Sequence, residues 1–231
     1  MVTGVRRSIG FALLLGASVA MASVPFGGDD TGTIPSDAPK GPVTKCENKV
    51  TKLASKLVVA ILKCHTARAS GKLATDTAEE QCEATAETKF EAVKLTGCNS
   101  CTALTTLATE VEGLVDSNNK SIYCTAQGAA FGSDDSGRIP PDAPTGPVTV
   151  CENNVAKAVG KLVIGIEKCH ADRAAGKLTD DTTEDQCEAT VETKFETTKV
   201  TGCTSCTVLS TLASSVEKTY DQANNLFYCA P

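Results

Sequence analysis

The feature that most constrains this chain is a tandem repeat. The sequence from Phe131 onwards matches the sequence from Phe26 onwards without a gap, and each copy carries six of the twelve cysteines. An even set of cysteines at fixed spacing in a small module predicts a disulfide framework. The equivalent cysteines of the two copies are Cys46 and Cys151, Cys64 and Cys169, Cys82 and Cys187, Cys98 and Cys203, Cys101 and Cys206, and Cys124 and Cys229.

The N-terminus is typical of a secretory signal peptide. Arg6 and Arg7 precede an apolar stretch that ends in Ala20-Met21-Ala22, an A-x-A cleavage pattern. No later segment approaches the ~20 apolar residues of a membrane span. The protein is therefore predicted to be secreted or periplasmic. The expected organisation is a signal peptide at 1–22, a linker at 23–43, module 1 at 44–125, a second linker at 126–148 and module 2 at 149–231.

A segment rich in Gly, Asp and Pro precedes each module: "FGGDDTGTIPSDAPKGPVT" and "FGSDDSGRIPPDAPTGPVT". Such composition is typical of a linker, since it continues neither a helix nor a central strand. Calcium binding is an alternative, but the spacing matches no EF-hand loop and ordinary turn chemistry is favoured. The aspartates concerned are Asp29, Asp30, Asp37, Asp134, Asp135 and Asp142.

The apolar pattern predicts an all-α fold with three helices in each module. In the first helix Cys46, Val50, Leu57 and Cys64 lie on one face, and Gly71 is a suitable stop. The second helix begins near Asp76 and ends before Gly97, and the third ends near Asn118. No period-two alternation indicates a sheet.

Helix geometry restricts the disulfides. Cys46 and Cys64 lie on one helix about 27 Å apart, so they cannot form a bridge with each other. An antiparallel helical hairpin places Cys64 opposite Cys82, and Cys46 opposite Cys98 or Cys101. Cys124 is then predicted to pair with whichever of those two is left, through a chain that turns back. The same pairing is expected of the equivalent cysteines in module 2.

The Cys-x-x-Cys at Cys98 and Cys101 stands at a predicted helix start, where a thiol pKa is lowered. A redox centre lacks its βαβ context, so structural bridges are favoured. A zinc site from Cys46, this pair and a histidine is disfavoured because His65 lies at the other end of the first helix. His65 and His170 are expected on the surface.

An acidic row at i, i+4 spacing follows the second helix: Glu79, Glu83, Glu87 and Glu91, repeated as Glu184, Glu188, Glu192 and Glu196. A solvated face is the favoured interpretation, with divalent cations or a charged partner as alternatives. No triad, phosphate-binding loop or nucleotide fingerprint is present, so the sequence predicts no catalytic, cofactor or metal residue and no enzyme.

The pattern C-E-N-x-V…K-C-H…G-K-L…C-E…K-F…G-C-x-x-C resembles cysteine-rich helical repeats in proteins exported by environmental bacteria. The six cysteines also resemble those of saposin-like lipid-binding domains, although saposins open and close with paired cysteines. The first resemblance implies export and a helical repeat, but no activity.

These observations predict a secreted, non-enzymatic binding or structural protein with an unknown extracellular or periplasmic partner. The alternatives are a carrier of small apolar ligands or lipids, and a thiol redox protein. The chain carries 22 basic and 28 acidic residues, with few aromatics. Nucleic acid is therefore not expected as a partner.

Overall fold

A computed structural model describes residues 23–95, 103–200 and 208–229. The fold is mostly helical and consists of two similar three-helix modules, as predicted. Module 1 contains α1, α2 and α3, and module 2 contains α4, α5 and α6. Their bounds are Pro42–Ala69, Asp76–Glu91, Leu104–Asn118, Pro147–Ala174, Asp181–Glu196 and Leu209–Ala223.

The helix ends follow from local chemistry. α1 begins with a proline, whose missing N–H would be unpaired in the first turn in any case. The Asp37 carboxylate accepts hydrogen bonds from the backbone N–H of Val43 (2.8 Å) and Thr44 (3.0 Å) and so caps this helix from outside. α1 ends just before Gly71, whose φ of +67° favours glycine. The predicted stop is confirmed.

Disulfides join the first two helices of each module. Cys64 pairs with Cys82 at a Cα–Cα distance of 5.8 Å, and Cys169 pairs with Cys187 at 5.9 Å. Both pairs are those predicted from the helical hairpin. Cys46, Cys124, Cys151 and Cys229 are also disulfide-bonded. Their predicted pairing with Cys98, Cys101, Cys203 and Cys206 lies outside the described residues.

The two modules pack directly on each other through α1 and α4, which run antiparallel. Asn48 near the start of α1 donates to the carbonyl of Ala171 near the end of α4, at 3.3 Å. A Cβ on Gly160 would lie 3.1 Å from a Val59 methyl group, so glycine permits close contact of the helices. Buried apolar residues of both modules therefore form one continuous core.

The N-terminal linker forms structure that was not predicted. Val24–Gly27 (β1) and Asp30–Ile34 (β2) pair as an antiparallel hairpin. This hairpin packs on module 2, where Phe26 is fully buried 4.8 Å from the Tyr228 ring. The backbone N–H of Thr33 donates to the Tyr228 carbonyl at 2.9 Å. The expectation of a chain without a sheet was wrong, because β1 and β2 pair and Phe26 anchors the hairpin on module 2.

The second linker makes the same contacts with module 1. Phe131 is fully buried 4.7 Å from the ring of Tyr123, and Arg138 N donates to the Tyr123 carbonyl at 3.0 Å. Each segment therefore packs on the module that it does not precede. The N-terminal hairpin crosses the molecule to reach module 2.

The chain after α3 does not turn back as predicted. Tyr123 lies beside the end of α1, where its hydroxyl donates to Asn153 of α4 at 2.8 Å. Cys124 follows, and its backbone N–H donates to Glu152 in the second turn of α4. Because α1 and α4 are antiparallel, this position lies at the opposite end of α1 from Cys46.

Candidate metal centres

Four carboxylate oxygens surround the imidazole Nε2 of His65. The distances from Nε2 are 2.9 Å to Glu83 Oε1, 3.0 Å to Asp135 Oδ1, and 3.4 Å to both Glu79 Oε1 and Asp116 Oδ1. The five side chains come from α1, α2, α3 and the 131–138 segment. We call this set the His65 centre.

Module 2 repeats the arrangement around His170. Its Nε2 lies 2.9 Å from Glu188 Oε1, 3.0 Å from Asp30 Oδ1 and 3.4 Å from Asp221 Oδ1. A Glu184 oxygen completes the cluster, within 4.8 Å of the ligand atoms of His170, Asp30 and Glu188. We call this set the His170 centre. Its Asp30 arrives on the hairpin from the N-terminus.

The disulfides position these ligands. Cys64 is adjacent to His65 in sequence, and Cys82 is adjacent to Glu83, so the bridge fixes α1 against α2 directly beside the centre. Glu79 and Glu83 lie one helical turn apart and face the same way. The rings of Phe131 and His65 pack edge to face, with their centroids 5.6 Å apart. This contact limits rotation of the His65 imidazole.

The ligand atoms are buried without the partners that such groups require. His65, Glu79, Glu83 and Asp116 are 0, 0, 1 and 5 % exposed. Within the described ranges, Nε2 of His65, both oxygens of Glu79 and both oxygens of Asp135 have no hydrogen-bond partner of acceptable geometry. Buried polar atoms of this kind are rare, because each costs roughly 1–3 kcal/mol when unpaired.

The protonation equilibria reflect this crowding. Burial, with Asp135 and Glu83 close by, raises the pKa of Glu79 to about 10. In module 2, burial and the neighbouring Asp30 raise the pKa of Glu184 to about 9. Burial opposes the charge on His65, but Asp116, Asp135 and Glu83 hold its pKa well above the ordinary value. In the absence of a cation, these groups therefore retain protons at neutral pH.

The distances from His65 Nε2 to its neighbouring oxygens fall in the range found between ligand atoms of a small metal ion. Ligands about 2.1 Å from an ion lie about 3.0 Å apart in octahedral geometry and about 3.4 Å apart in tetrahedral geometry. The N–O distances around His65 Nε2 span 2.9–3.4 Å. With His65 the oxygens form two groups, one with Glu83 and Asp116 and one with Glu79 and Asp135, and within each group the ligand atoms lie within 4.8 Å of one another.

The donor set selects among metals. Calcium and magnesium prefer oxygen ligands alone, whereas imidazole suits Zn²⁺, Fe²⁺ and other first-row transition ions. One imidazole with four carboxylates is an oxygen-rich set without sulfur. This combination favours Mn²⁺, Fe²⁺ or Zn²⁺ over a soft ion such as Cu(I).

The two centres differ on the Nδ1 side of the histidine ring. Glu167 is buried, and its Oε2 lies 3.7 Å from Nδ1 of His170, whereas the equivalent residue in module 1 is Leu62. A carboxylate behind a ligating histidine fixes the ring orientation and raises the basicity of the ligand. In addition, Nε of Arg173 lies 3.7 Å from Oε2 of Glu184. At 3.7 Å the contact between Glu167 and His170 is too long for a hydrogen bond, so Glu167 acts on the imidazole through its charge, which Leu62 does not carry in module 1.

The structure changes several of the sequence-based expectations. The surface position predicted for His65 and His170 is wrong, since both are fully buried. The solvated acidic face is wrong for Glu79 and Glu83, which face inward. The reason is that α2 packs against both α1 and α3, so that the face beside its cysteine is covered as well.

The structure places the remaining candidate residues in different parts of the molecule. Of the linker aspartates, Asp30 and Asp135 join the two centres, whereas Asp37 and Asp142 cap α1 and α4. Cys46 cannot supply a zinc-binding thiolate because it is disulfide-bonded. The Cys-x-x-Cys pairs, for which structural bridges were favoured over a redox centre, lie outside the described residues. One signal in the sequence could have indicated the centre. His65 directly follows Cys64, Glu83 directly follows Cys82, and these two cysteines form a disulfide.

No protein-family model, curated protein or solved structure was found to match the chain. In the part of the chain that the structure describes, no helix is both long and apolar enough to cross a bilayer.

Proposed function

We propose that this protein binds first-row divalent transition-metal ions, one at the His65 centre and one at the His170 centre. The observation that carries the proposal is the cluster of buried carboxylate oxygens around an unpaired imidazole nitrogen in both modules. Four lie within 3.4 Å of His65 Nε2, and three lie within 3.4 Å of His170 Nε2, with Glu184 within 4.8 Å. A divalent cation would neutralise this charge and satisfy the unpaired atoms together.

Protons are the competitor of the metal in this proposal. Without a cation, protonated carboxyl groups share the site, as the raised pKa values of Glu79 and Glu184 indicate. Metal binding then displaces those protons.

The proposed role is binding outside the cytoplasm, without catalysis. The disulfides support an oxidising compartment. Both histidines are fully buried, which suits retention of an ion better than access of a substrate. We propose that the chain sequesters or carries metal after export through its signal peptide.

The lipid-carrier alternative receives less support from the interior of the molecule. An apolar cavity between the modules, lined by residues such as Val58, Leu62 and Val159, has a volume of about 40 Å³. Ligand pockets are typically ~300–1,000 Å³. This cavity accommodates roughly a water molecule. A lipid would have to bind in a surface groove instead, such as the one of about 530 Å³ between α1 and α4 that is lined by Val59, Gly160 and Ile164.

The test is metal content at equilibrium. The chain is stripped with EDTA, dialysed separately against Mn²⁺, Fe²⁺ under anaerobic conditions, Zn²⁺, Ca²⁺ and Mg²⁺, and analysed by elemental mass spectrometry and calorimetric titration. We expect tight binding of a transition ion that is lost at one centre in each of His65→Gln and His170→Gln. Calcium and magnesium should bind more weakly.

Glu110→Gln provides the control, because Glu110 is an exposed carboxylate on α3 away from both centres. It should bind as the wild type does. A stripped wild-type chain that takes up none of the three transition ions, or a double histidine variant that binds them equally well, would refute the proposal.

A further inference from the structure

We propose that a second divalent cation binds beside the His170 centre, held by Glu188, Glu217 and Asp221 with Glu188 and Asp221 as bridging carboxylates. This inference rests on the proposed function and extends the centre in module 2 to a pair of metal ions. One ligand oxygen from each of the three residues lies within 4.8 Å of the others. Glu217 is not part of the His170 centre.

The bridging geometry follows from the two oxygens of each carboxylate. Asp221 directs Oδ1 towards His170 Nε2 at 3.4 Å, and its Oδ2 is a separate buried oxygen. Asp221 is 1 % exposed, and among the described residues neither of its oxygens has a hydrogen-bond partner. A buried, unpaired carboxylate oxygen next to Glu217 is the observation that points to a further cation.

Glu217 lies among other carboxylates, and no ion pair between described residues joins it to a lysine or arginine. Burial, together with Glu192, Asp221 and Glu188, raises the pKa of Glu217 to about 8. Glu192 Oε1 is likewise buried and unpaired. None of the ion pairs between described residues connects Glu217 or Glu192 to a lysine or arginine. A cation at this position would neutralise both groups.

The donor set of the second position differs from the first. It contains carboxylates and no imidazole, so it favours a hard cation that prefers oxygen, such as Mn²⁺. Mn²⁺ also suits the neighbouring His170 centre. Mn²⁺ is therefore the ion used to probe both positions.

Module 1 provides an internal comparison. Its equivalent of Glu217 is Glu112, whose pKa is raised to about 7 by burial, Glu87 and Asp116. Glu112 does not belong to a three-residue cluster of closely spaced ligand atoms in the described chain. The inference is therefore restricted to module 2 and predicts three Mn²⁺ ions per chain.

The experiment compares Glu217→Gln with Glu112→Gln in the full-length protein. Manganese content is measured after equilibrium dialysis, and the bound ions are examined by electron paramagnetic resonance. We expect three ions in the wild type and in Glu112→Gln, but two in Glu217→Gln. Carboxylate-bridged Mn²⁺ ions are magnetically coupled, so Glu217→Gln should convert a coupled signal into one from isolated ions.

Two ions per wild-type chain with only isolated signals would overturn this inference and leave the proposed function intact. Three ions in Glu217→Gln would overturn it as well, because the third ion would not need Glu217. No bound ion in the wild type would instead overturn the proposed function. If Glu217→Gln fails to fold, as judged by circular dichroism in EDTA, the wild-type stoichiometry and signal decide the question.

Discussion

Metal removal should lower the stability of the folded protein by a large amount. The ligands of each centre come from three helices and a separate segment, so the unfolded chain cannot assemble them. A ligand that binds only the folded state at 100 times its dissociation constant stabilises that state by about 2.7 kcal/mol per site. The His65 and His170 centres together would contribute about 5 kcal/mol. For a chain of this size, each kcal/mol shifts Tm by about 2–4 °C, so we expect a shift of about 10–20 °C.

The assay is differential scanning calorimetry at pH 7.5, in EDTA and in Zn²⁺ at 100 times the measured dissociation constant. His65→Gln and His170→Gln should each lose about half of the shift, and the double variant should lose it entirely. Glu110→Gln should retain the full shift. An equal Tm with and without metal, or a shift that survives in the double variant, would show that the centres do not bind the ion.

The remaining predictions concern protons, the outer shell and the disulfides. In EDTA, the folded protein holds protons that the unfolded chain releases above about pH 4.5, because the folded pKa of Glu79 is about 10. Stability of the metal-free protein should therefore fall as pH rises from 5 to 8. Metal affinity should rise over the same pH range, because metal binding displaces protons. Scanning and titration calorimetry at several pH values check the two trends. Glu167→Leu, which copies module 1, should weaken the His170 centre by about 10-fold or more and leave the His65 centre unchanged in a calorimetric titration; equal affinities before and after would contradict the outer-shell role. Peptide mapping under non-reducing conditions should link Cys124 to module 2, since Cys124 lies beside Glu152 of α4. A link from Cys124 to Cys98 or Cys101 would contradict this position of Cys124.

Much of the local structure was predictable because it depends on neighbours in sequence. The three-four spacing of apolar residues along α1 indicates a buried stripe, and the fixed rise of a helix excludes a bridge between Cys46 and Cys64. The bridges Cys64–Cys82 and Cys169–Cys187 follow from the same geometry. These conclusions require only that the two helices form a hairpin.

The candidate centres were not predictable in the same way. Glu79 and Glu83 look like a solvated row when α2 is considered alone, since carboxylates are normally exposed. Asp116 and Asp135 are separated from His65 by 51 and 70 positions in the chain, and no periodic signal connects them. Their meeting depends on how α3 and the following segment pack.

Sequence by itself determined the repeat, the helices and the bridges within each helical hairpin, because cysteine spacing and helical periodicity act over short distances along the chain. The tertiary structure alone decided that the modules share a core and that the linkers fold back. Gly32 illustrates this limit: its φ is +93°, and a Cβ there would lie 2.5 Å from the Tyr228 carbonyl oxygen. That contact spans almost the whole chain, and it holds the hairpin that brings Asp30 to His170.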